Sequence, residues 1–483
     1  MDAPDPADEI TGLVESVRKF RRLAWFRRAQ ALLDSSKFPL HRAPRLAIEQ
    51  AHIFITQGYY ARAVEFLQPL LVREYTPSED AALTVFRLQL ASAKIETEGK
   101  FKSAKTLCSK IWESLKINWD EPTEEHVWIA VYYAFALFMQ FKYREATDVS
   151  LKASLTEKLG ILQSNLLSKA RVDEAFIVLH YRLFALELPV ARATIEEFLS
   201  QGSLPQYILG RSRFELGSIY YSIGSPMQGA AEFDKAIGAY KTCMHAIGLA
   251  EVALENCVSQ DTFPKDTLQT LTQVNDIFKL GDYPRGQLRA HFYTSDYYIK
   301  HGNYSAFYAA QRAASEISER MGANIARFSN QLQSLSYAGI QTGHLGAQLE
   351  ACRTIVDWLK SSEASFMEER AAVQLSQIYL DVDPKVGAEF ANVALRLAIE
   401  RDAWREASDY AEALALAKEA LAKKMHSMSL FEEGARLLSE WAEKDARDGR
   451  FDYQFNKYSL LASVEYKRAS TMGVTDGFSS AIR

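Results

Sequence analysis

The sequence is poor in the residues that form turns. Its 483 residues include 23 Gly and 13 Pro, together about 7.5% of the chain, whereas the two make up about 12% of average proteins. Because Gly and Pro interrupt helices and strands, we expect few turns and long secondary-structure elements. The four cysteines are far apart and form no CxxC pair, which excludes a disulfide-rich scaffold and favours free thiols in a reducing compartment.

The chain also lacks an excess of positive charge, a membrane-spanning run and a signal peptide. Lys and Arg total 56 against 61 Asp and Glu, for a net charge of −5, so no nucleic-acid partner is predicted. The longest apolar run, residues 127–141, has 15 residues, fewer than the ~20 that a spanning helix needs. Residues 1–9 do not have the basic and apolar regions of a secretory signal. We therefore predict a cytoplasmic or nuclear protein that is not secreted and has no membrane span.

Motifs for phosphate binding, nucleophilic catalysis and zinc binding are missing. The sequence contains no GxGxxG, GxxxxGK[ST], GxSxG or HExxH segment. Asp381 and Asp383 precede Pro384, but no third metal ligand is near them, and an Asp before a helix-starting Pro is typical of an N-cap. No cofactor, no metal site and no catalytic residue are predicted. This favours a protein without enzymatic activity and leaves catalysis as an open alternative.

What the sequence does contain is a repeat of helical hairpins. In its clearest copy, residues 213–240, small and aromatic residues on a first helix are followed by a glycine turn at Gly224. A second small–aromatic pair, Gly229 and Phe233, then lies on the next helix. Small residues let two antiparallel helices approach closely, and the rings fill the space toward the next hairpin. The pattern resembles the tetratricopeptide repeat (TPR), and weaker copies begin at Gly58, Gly99, Phe141, Gly302 and Gly343.

The spacing of the turns extends the repeat over most of the chain. Gly58, Gly99 and Phe141 are 41 and 42 residues apart, and the gaps on either side of Gly224, 83 and 78 residues, leave room for two units each. A TPR unit has about 34 residues, so we expect longer helices here, of roughly 16 to 19 residues. The resemblance to long-repeat TPR-like arrays covers about residues 40–440. It implies an all-α fold, a right-handed α-solenoid of antiparallel helix hairpins (a TPR-like superhelix).

The pattern predicts five segments. They are a disordered tail (1–9), an N-terminal capping helix (10–39), the TPR-like repeat array (40–440), C-terminal capping helices (441–472) and a flexible tail (473–483). Residues 10–35 are predicted as one helix, 403–424 as another, and 426–470 as a final hairpin. The helix over 10–35 has a basic face that is either solvated or docks an acidic partner: Arg18, Lys19, Arg21, Arg22, Arg27 and Arg28.

In TPR-like arrays the first helix of each hairpin lines the concave face, and this resemblance gives the candidate binding residues. Transferred by spacing, they are Trp128, Phe135, Phe138, Met139, Arg211, Phe214, Tyr221, Arg289, Phe292, Asp296 and Tyr337. The set lacks the Lys and Asn residues with which some TPR domains hold the C-terminal carboxylate of chaperones, so a chaperone adaptor is not predicted. The face is apolar and aromatic from Trp128 to Met139. Its side chains either pack on a neighbouring element, bind a peptide or helix, or hold a small apolar molecule.

Three functions fit these features. The first is a protein–protein interaction scaffold or adaptor that binds a protein or peptide segment in the concave face. The second is a metal-free solenoid enzyme, cyclase- or pericyclase-like, that holds a small apolar substrate in an aromatic pocket. Its isolated polar groups would be His52, Glu96, Tyr221, Arg289 and Asp296. The third is a ligand-sensing regulator whose superhelix changes pitch. The missing catalytic motifs place the scaffold first.

Overall fold

The computed structural model describes residues 6–72, 80–98, 100–114, 133, 192–193, 195–196, 199–200, 204–258, 266–324, 365–400, 404–447 and 450–472. The N-terminal helices are α1 (Pro6–Arg22), α2 (Phe26–Asp34), α3 (Pro44–Gln57), α4 (Tyr60–Leu70), α5 (Asp80–Glu98) and α6 (Phe101–Ser114). The central helices are α7 (Gln206–Ser222), α8 (Pro226–Thr242), α9 (Ala246–Val258), α10 (Thr267–Leu280), α11 (Pro284–Lys300) and α12 (Tyr304–Met321). The C-terminal helices are α13 (Ser365–Val382), α14 (Pro384–Glu400), α15 (Trp404–Met425), α16 (Met428–Arg447) and α17 (Phe451–Met472).

Consecutive helices pack on one another as antiparallel hairpins, so the chain is an all-α solenoid, as predicted. Prolines stand in the first turn of five of the described helices, at positions 6, 44, 226, 284 and 384, where the missing N–H has no helical partner to lose. Gly58, Gly224 and Gly302 have positive φ at the turns, which glycine adopts without steric cost. Helices α7, α8, α11, α12, α13 and α14 have 17 or 18 residues, within the predicted length. No helix in the described ranges is long and apolar enough to cross a bilayer.

Small residues hold the hairpin of α7 and α8 together, as the repeat pattern indicates. A methyl group on Gly217 would lie 2.5 Å from the Phe233 ring, and one on Gly229 would lie 2.5 Å from the Tyr221 ring. The rings of Phe214 and Tyr221 stack on Phe233, with centroids 5.8 and 5.3 Å away. The two glycines therefore make room for an aromatic cluster that fixes the distance between the helices.

The prediction of one helix over residues 10–35 is wrong. Helix α1 begins at Pro6, inside the predicted tail, and ends at Arg22, and α2 begins at Phe26. Ala24 between them has φ of 55°, a left-handed conformation that a helix cannot continue through. The break folds α2 back on α1, so that Val17 and Phe26 enter one hydrophobic core. A straight helix could bury only one of these faces.

The basic face of α1 is only partly a solvated surface. Arg18 and Arg21 both bond the carboxylate of Glu49 on α3, at 2.9 and 3.0 Å, and the Glu49 side chain is completely buried. Their charge is therefore used to dock α1 on α3. Arg27 and Arg28 remain exposed on α2, and Arg28 lies 4.7 Å above the Trp25 ring.

Two helix predictions near the C-terminus agree with the structure: α15 spans Trp404–Met425, against the predicted 403–424, and α16 and α17 form the hairpin predicted over 426–470. The predicted boundary between the repeat array and the capping helices, at 440 and 441, lies inside α16, and the predicted tail 473–483 lies outside the described residues. Asp383 caps α14, because its Oδ1 accepts the backbone N–H of Lys385 at 3.2 Å.

The N-terminal hairpins touch the central hairpins at three successive turns, which we call the seam. Trp25 Nε1 donates to the Met244 carbonyl (3.4 Å), Gln57 Nε2 to the Asp282 carbonyl (2.8 Å), and Asn324 Nδ2 to the Thr97 carbonyl (2.7 Å). These pairs are 219, 225 and 227 residues apart in the chain. A nearly constant separation means that each N-terminal hairpin meets one central hairpin in the same register.

The seam joins opposite edges of the solenoid. Trp25 and Gln57 are at turns within hairpins, whereas Met244 and Asp282 are at turns between hairpins. His245 strengthens the first contact, since its Nδ1 accepts the Gly248 N–H and its Nε2 donates to the Arg22 carbonyl. The N-terminal and central hairpins therefore contact each other edge to edge along the seam.

We expect Asp282→Ala to loosen the seam. Asp282 is left-handed, with φ of 55°, and its carboxylate accepts Tyr59 Oη at 2.5 Å and Gln57 Nε2 at 3.0 Å. Burial and this bond raise the pKa of Tyr59 to about 12. Loss of hydrogen bonds to a charged group costs about 2 kcal/mol. We therefore expect amide hydrogen exchange in α3 and α4 to become roughly thirtyfold faster in this variant.

Two further variants serve as controls for this prediction. Asp282→Asn tolerates the left-handed backbone and still accepts from Tyr59, so it should lose less protection. Asp276→Ala, at an exposed position of α10, should lose none. Equal exchange in Asp282→Ala and Asp276→Ala would show that the seam does not depend on this contact.

Candidate functional site

Six charged side chains on three neighbouring first helices form a set that we call the charged ladder: Arg211, Glu215, Glu251, Glu255, Arg285 and Arg289. They lie as three pairs at positions i and i+4, one pair on each of α7, α9 and α11, so each pair shares a helix face. On α7 this face differs from the one that packs Gly217 and Phe214 against α8.

Ion pairs connect the three helices that carry the charged ladder. Arg211 bonds Glu215 on its own helix at 2.5 Å and Glu251 on α9 at 3.4 Å. Arg289 on α11 bonds Glu255 on α9 at 3.0 Å. Because α9 supplies only carboxylates and its neighbours supply the arginines, the three helices are held in register by complementary charge.

Part of the charged ladder is accessible to solvent, whereas the side chains of Glu215 and Glu251 are only 5 and 12% exposed. The side chains of Arg211 and Arg289 are each 36% exposed, and that of Glu255 is 25% exposed. The ring of Tyr283 lies beside them, and its hydroxyl donates to Glu251 at 3.2 Å. The polar atoms of a ligand can therefore reach these groups without unfolding a hairpin.

Protein surrounds these groups closely enough to change their protonation. Burial raises the pKa of Glu255, and nearby Glu215 and Glu251 raise it further, while Arg289 opposes them. Burial would lower the pKa of Arg211, but Glu215 and Glu251 outweigh it and raise that pKa. Charges held in such partly dry surroundings interact more strongly with a ligand than charges on an open surface do.

Arg285 occupies the end of the charged ladder at the seam. It is exposed, and no described residue forms a salt bridge with it. Tyr60, Tyr283 and Glu96 face it, and Tyr60 contributes most to the raised pKa of Arg285. Burial raises the pKa of Glu96, with Arg285 opposing. Arg285 is thus a cation with room for an additional anionic partner.

The predicted binding residues fall into four groups. Arg211 and Arg289 belong to the charged ladder, and Asp296 lies on the same face of α11, where burial raises its pKa. Phe292 packs against the cluster that contains Tyr60. The candidates outside the described residues are Trp128, Phe135, Phe138, Met139 and Tyr337.

Two predicted binding residues belong to the hairpin of α7 and α8. Phe214 is only 6% exposed and packs inside this hairpin, so its ring is part of the core and does not offer a binding surface. Tyr221 stacks on Phe233, and its hydroxyl donates to Asn256 on α9 at 3.3 Å.

The polar groups considered for an enzyme are spread over different parts of the fold. His52 is 4% exposed, and burial together with Arg21 lowers its pKa to about 3. It lies with Glu49 between α1 and α3, whereas Arg289 lies with Glu255. Burial raises the pKa of Cys108 to about 12, which keeps this thiol protonated and unreactive. Among the described residues, no group of three His, Cys, Asp or Glu could hold a metal ion.

The sequence interpretation found two members of the charged ladder and missed four. The missed residues are Glu215, Glu251, Glu255 and Arg285. The available signal was the repeat period itself, because Glu251 follows Arg211 by 40 residues and Arg289 follows Glu251 by 38.

Comparison with known proteins gives similarity only among solved structures. No protein-family model matches the chain, and no curated protein does. A Rap protein complexed with competence and sporulation factor is 12% identical, over 96% of this chain and 100% of that one, with a TM-score of 0.47. A Rap conjugation gene regulator in complex with the Phr* peptide is 11% identical, over 74% and 94%, with a TM-score of 0.42.

A third similar structure is a signal-transduction ATPase with a tetratricopeptide repeat sensor from Pyrococcus horikoshii. It is 12% identical, over 87% of this chain and 72% of that one, with a TM-score of 0.38. All three TM-scores are below 0.5. The assignment of a TPR-like helical repeat therefore rests on the hairpins, turns and packing of the chain itself.

Proposed function

We propose that the protein is a non-catalytic interaction scaffold that binds a polypeptide segment along the charged ladder. The observation that supports this proposal is the ladder's combination of charge and access. Arg211, Arg289 and Glu255 are 25 to 36% exposed to solvent, yet they are held in fixed positions by ion pairs between helices. Preorganised polar groups of this kind bind a partner with little loss of conformational entropy.

The dimensions of the charged ladder suit an extended peptide. Neighbouring helices pack with axes about 8–10 Å apart, so α7, α9 and α11 together span roughly 20 Å. This is the length of about six extended residues. A small apolar molecule fits less well, because it would remove water from the ladder's charges without offering them hydrogen bonds.

The free end of the charged ladder indicates what the segment carries. Arg285 offers a guanidinium group to an incoming carboxylate, with which it can form two parallel hydrogen bonds. The rings of Tyr60 and Tyr283 flank it, and Glu96 beside it discourages a second anion. We therefore expect an acidic side chain or a C-terminal carboxylate of the segment to bind Arg285.

The test is selection of peptides from a random 12-residue display library on the full chain, followed by calorimetry with a selected peptide. Arg285→Ala should weaken binding by about ten- to hundredfold, since a hydrogen-bonded charge contributes roughly 1.5–3 kcal/mol. Arg396→Ala is the matched control, because its side chain is 65% exposed on α14, and it should bind like the wild type.

Two results would contradict the proposal. One is a library that yields no binder to the folded chain. The other is a set of selected peptides whose affinity is the same for Arg285→Ala and for Arg396→Ala.

A further inference from the structure

The outward face of α17 is a stripe of exposed aromatic side chains. Phe451, Phe455, Tyr458 and Tyr466 are 53, 73, 43 and 53% exposed. Their spacing of four, three and eight residues places all four within roughly one quarter of the helix circumference. We call this set the α17 stripe.

The opposite face of α17 already has its partners. Val464 is 1% exposed and packs with Leu438 of α16 and Ala415 of α15. Lys457, fully buried, bonds Asp445 at 3.0 Å. The α17 stripe is therefore additional apolar surface on the last helix that the structure describes, where a solenoid ordinarily presents a polar outer face.

None of the exposed residues of α17 whose side chains the structure describes is charged. The other exposed residues of α17 are Asn456, Ser459 and Ser470. Lys467 and Arg468 are directed to their own molecule, where they bond Glu419 at 3.0 Å and Glu465 at 2.7 Å.

Neutrality of this face favours one kind of partner. When a face docks on its own copy across a twofold axis, every charge near the axis meets its like. A face without exposed charge avoids that repulsion. An acidic or basic partner, by contrast, would find no complementary group on the α17 stripe.

We propose that two copies of this chain associate through an antiparallel contact between their α17 stripes. Four half-exposed rings supply on the order of 400 Å² of aromatic surface per chain. The 22-residue helix is about 33 Å long, so the rest of its face brings the contact toward the roughly 800 Å² per partner of a standard interface. The twofold axis passes near Ser459, close to the middle of α17. This proposal is independent of the peptide site.

Sedimentation equilibrium of the full chain between 1 and 100 μM tests the association. The wild type should be dimeric at the upper end of this range. Phe455→Glu with Tyr458→Glu should be monomeric throughout, because four carboxylates would then meet at the axis. Met227→Glu with Leu280→Glu is the control, since these residues are 87 and 73% exposed elsewhere on the surface, and it should dimerise normally. Circular dichroism of each variant confirms that the helices are intact.

A crosslink tests the geometry separately. Ser459→Cys should form an intermolecular disulfide under mild oxidation, and the same substitution in the Phe455→Glu, Tyr458→Glu background should not. The proposal is overturned by a wild type that is monomeric at 100 μM, or by a charge variant that stays dimeric. A monomer whose binding of a hydrophobic dye increases on removal of residues 473–483 would instead assign the α17 stripe to that segment.

Discussion

Replacing Glu49 by alanine should destabilise the first two hairpins by about 3 to 5 kcal/mol. The Glu49 side chain is fully buried and bonds Arg18 and Arg21, whose side chains are 15 and 9% exposed. Removal of the carboxylate leaves two guanidinium groups confined between α1 and α3 without the anion that compensates them. Because repeats in a solenoid unfold locally, the measurement is amide hydrogen exchange in α1 to α3.

The matched control is Glu400→Ala. Glu400 forms an exposed pair with Arg396, with side chains 60 and 65% exposed, and such pairs contribute less than about 1 kcal/mol. If Glu49→Ala exchanges no faster than Glu400→Ala, the buried pair does not hold α1 in place.

The same cluster should make the N-terminal hairpins sensitive to acid. Burial alone would raise the pKa of Glu49, but Arg21 and Arg18 lower it from 4.5 to about 2. Its contribution is therefore complete above pH 4.5 and is lost as the pH falls toward 2. His52, whose pKa falls from 6.5 to about 3, binds a proton in the unfolded state first, so stability begins to decline below pH 6.5. His52→Gln should remove the part of this decline that lies between pH 6.5 and 4.5.

The effect of Glu49→Ala should also reach the proposed peptide site. Helices α1 and α2 carry Trp25 and Phe26 to the seam, where the Phe26 ring stacks on Tyr283 at 6.1 Å, and Tyr283 bonds Glu251 of the charged ladder. Loss of the first hairpin would therefore free Tyr283 and weaken peptide binding without any change in the ladder itself.

Most of the fold could be predicted from local features of the sequence. The turns at Gly58, Gly224 and Gly302 need a left-handed residue, and a glycine at each of these positions predicts the turn from the sequence. The prolines in the sequence predict where helices begin. Where the same left-handed turn is made by Ala24, Met244 or Asp282, nothing in the local sequence reveals it. For this reason the sequence wrongly predicted a single helix over 10–35, and the repeat after residue 243 was not recognised from the sequence.

The seam explains why these three turns need no glycine. A left-handed non-glycine residue costs about 1–2 kcal/mol, and contacts from far along the chain offset that cost. Trp25 bonds Met244, and Tyr59 and Gln57 bond Asp282. Such contacts join residues that are 219 to 227 positions apart, and no local pattern encodes them.

The candidate site could be located in part for a related reason. Transfer by spacing from the TPR-like resemblance named Arg211 and Arg289, which both belong to the charged ladder. It passed over α9, whose preceding turn has Met244 in place of glycine, and therefore missed Glu251 and Glu255. The apolar and aromatic face expected from Trp128 to Met139 lies outside the described residues. The described first helices α7, α9 and α11 carry charge instead, and Arg211 and Arg289 each bond a glutamate of α9.

Replacing Asp445 by alanine should detach the C-terminal hairpin, at a cost of about 3 to 5 kcal/mol. Asp445 is fully buried, accepts Ser408 Oγ of α15 at 2.8 Å, and bonds Lys457 Nζ of α17 at 3.0 Å. Arg450 in the connection between α16 and α17 bonds it as well. One carboxylate thus joins three helices. Without it, the fully buried Lys457 loses its bonded carboxylate. We therefore expect amide hydrogen exchange to become faster in α16 and α17, while the amides of α7 to α12 remain protected.

A double variant separates charge from packing in this cluster. Asp445→Leu with Lys457→Met replaces the pair by apolar side chains, which for buried ion pairs is often neutral or stabilising, and should recover most of the loss seen in Asp445→Ala. If it is as unstable as Asp445→Ala, apolar packing cannot replace the bonds that Asp445 forms with Ser408, Arg450 and Lys457, and charge joins the helices. The comparison also bears on self-association, because α17 can present its aromatic stripe only while Asp445 and Lys457 keep it against α15 and α16. Asp445→Ala should therefore weaken the dimer, and the double variant should restore it.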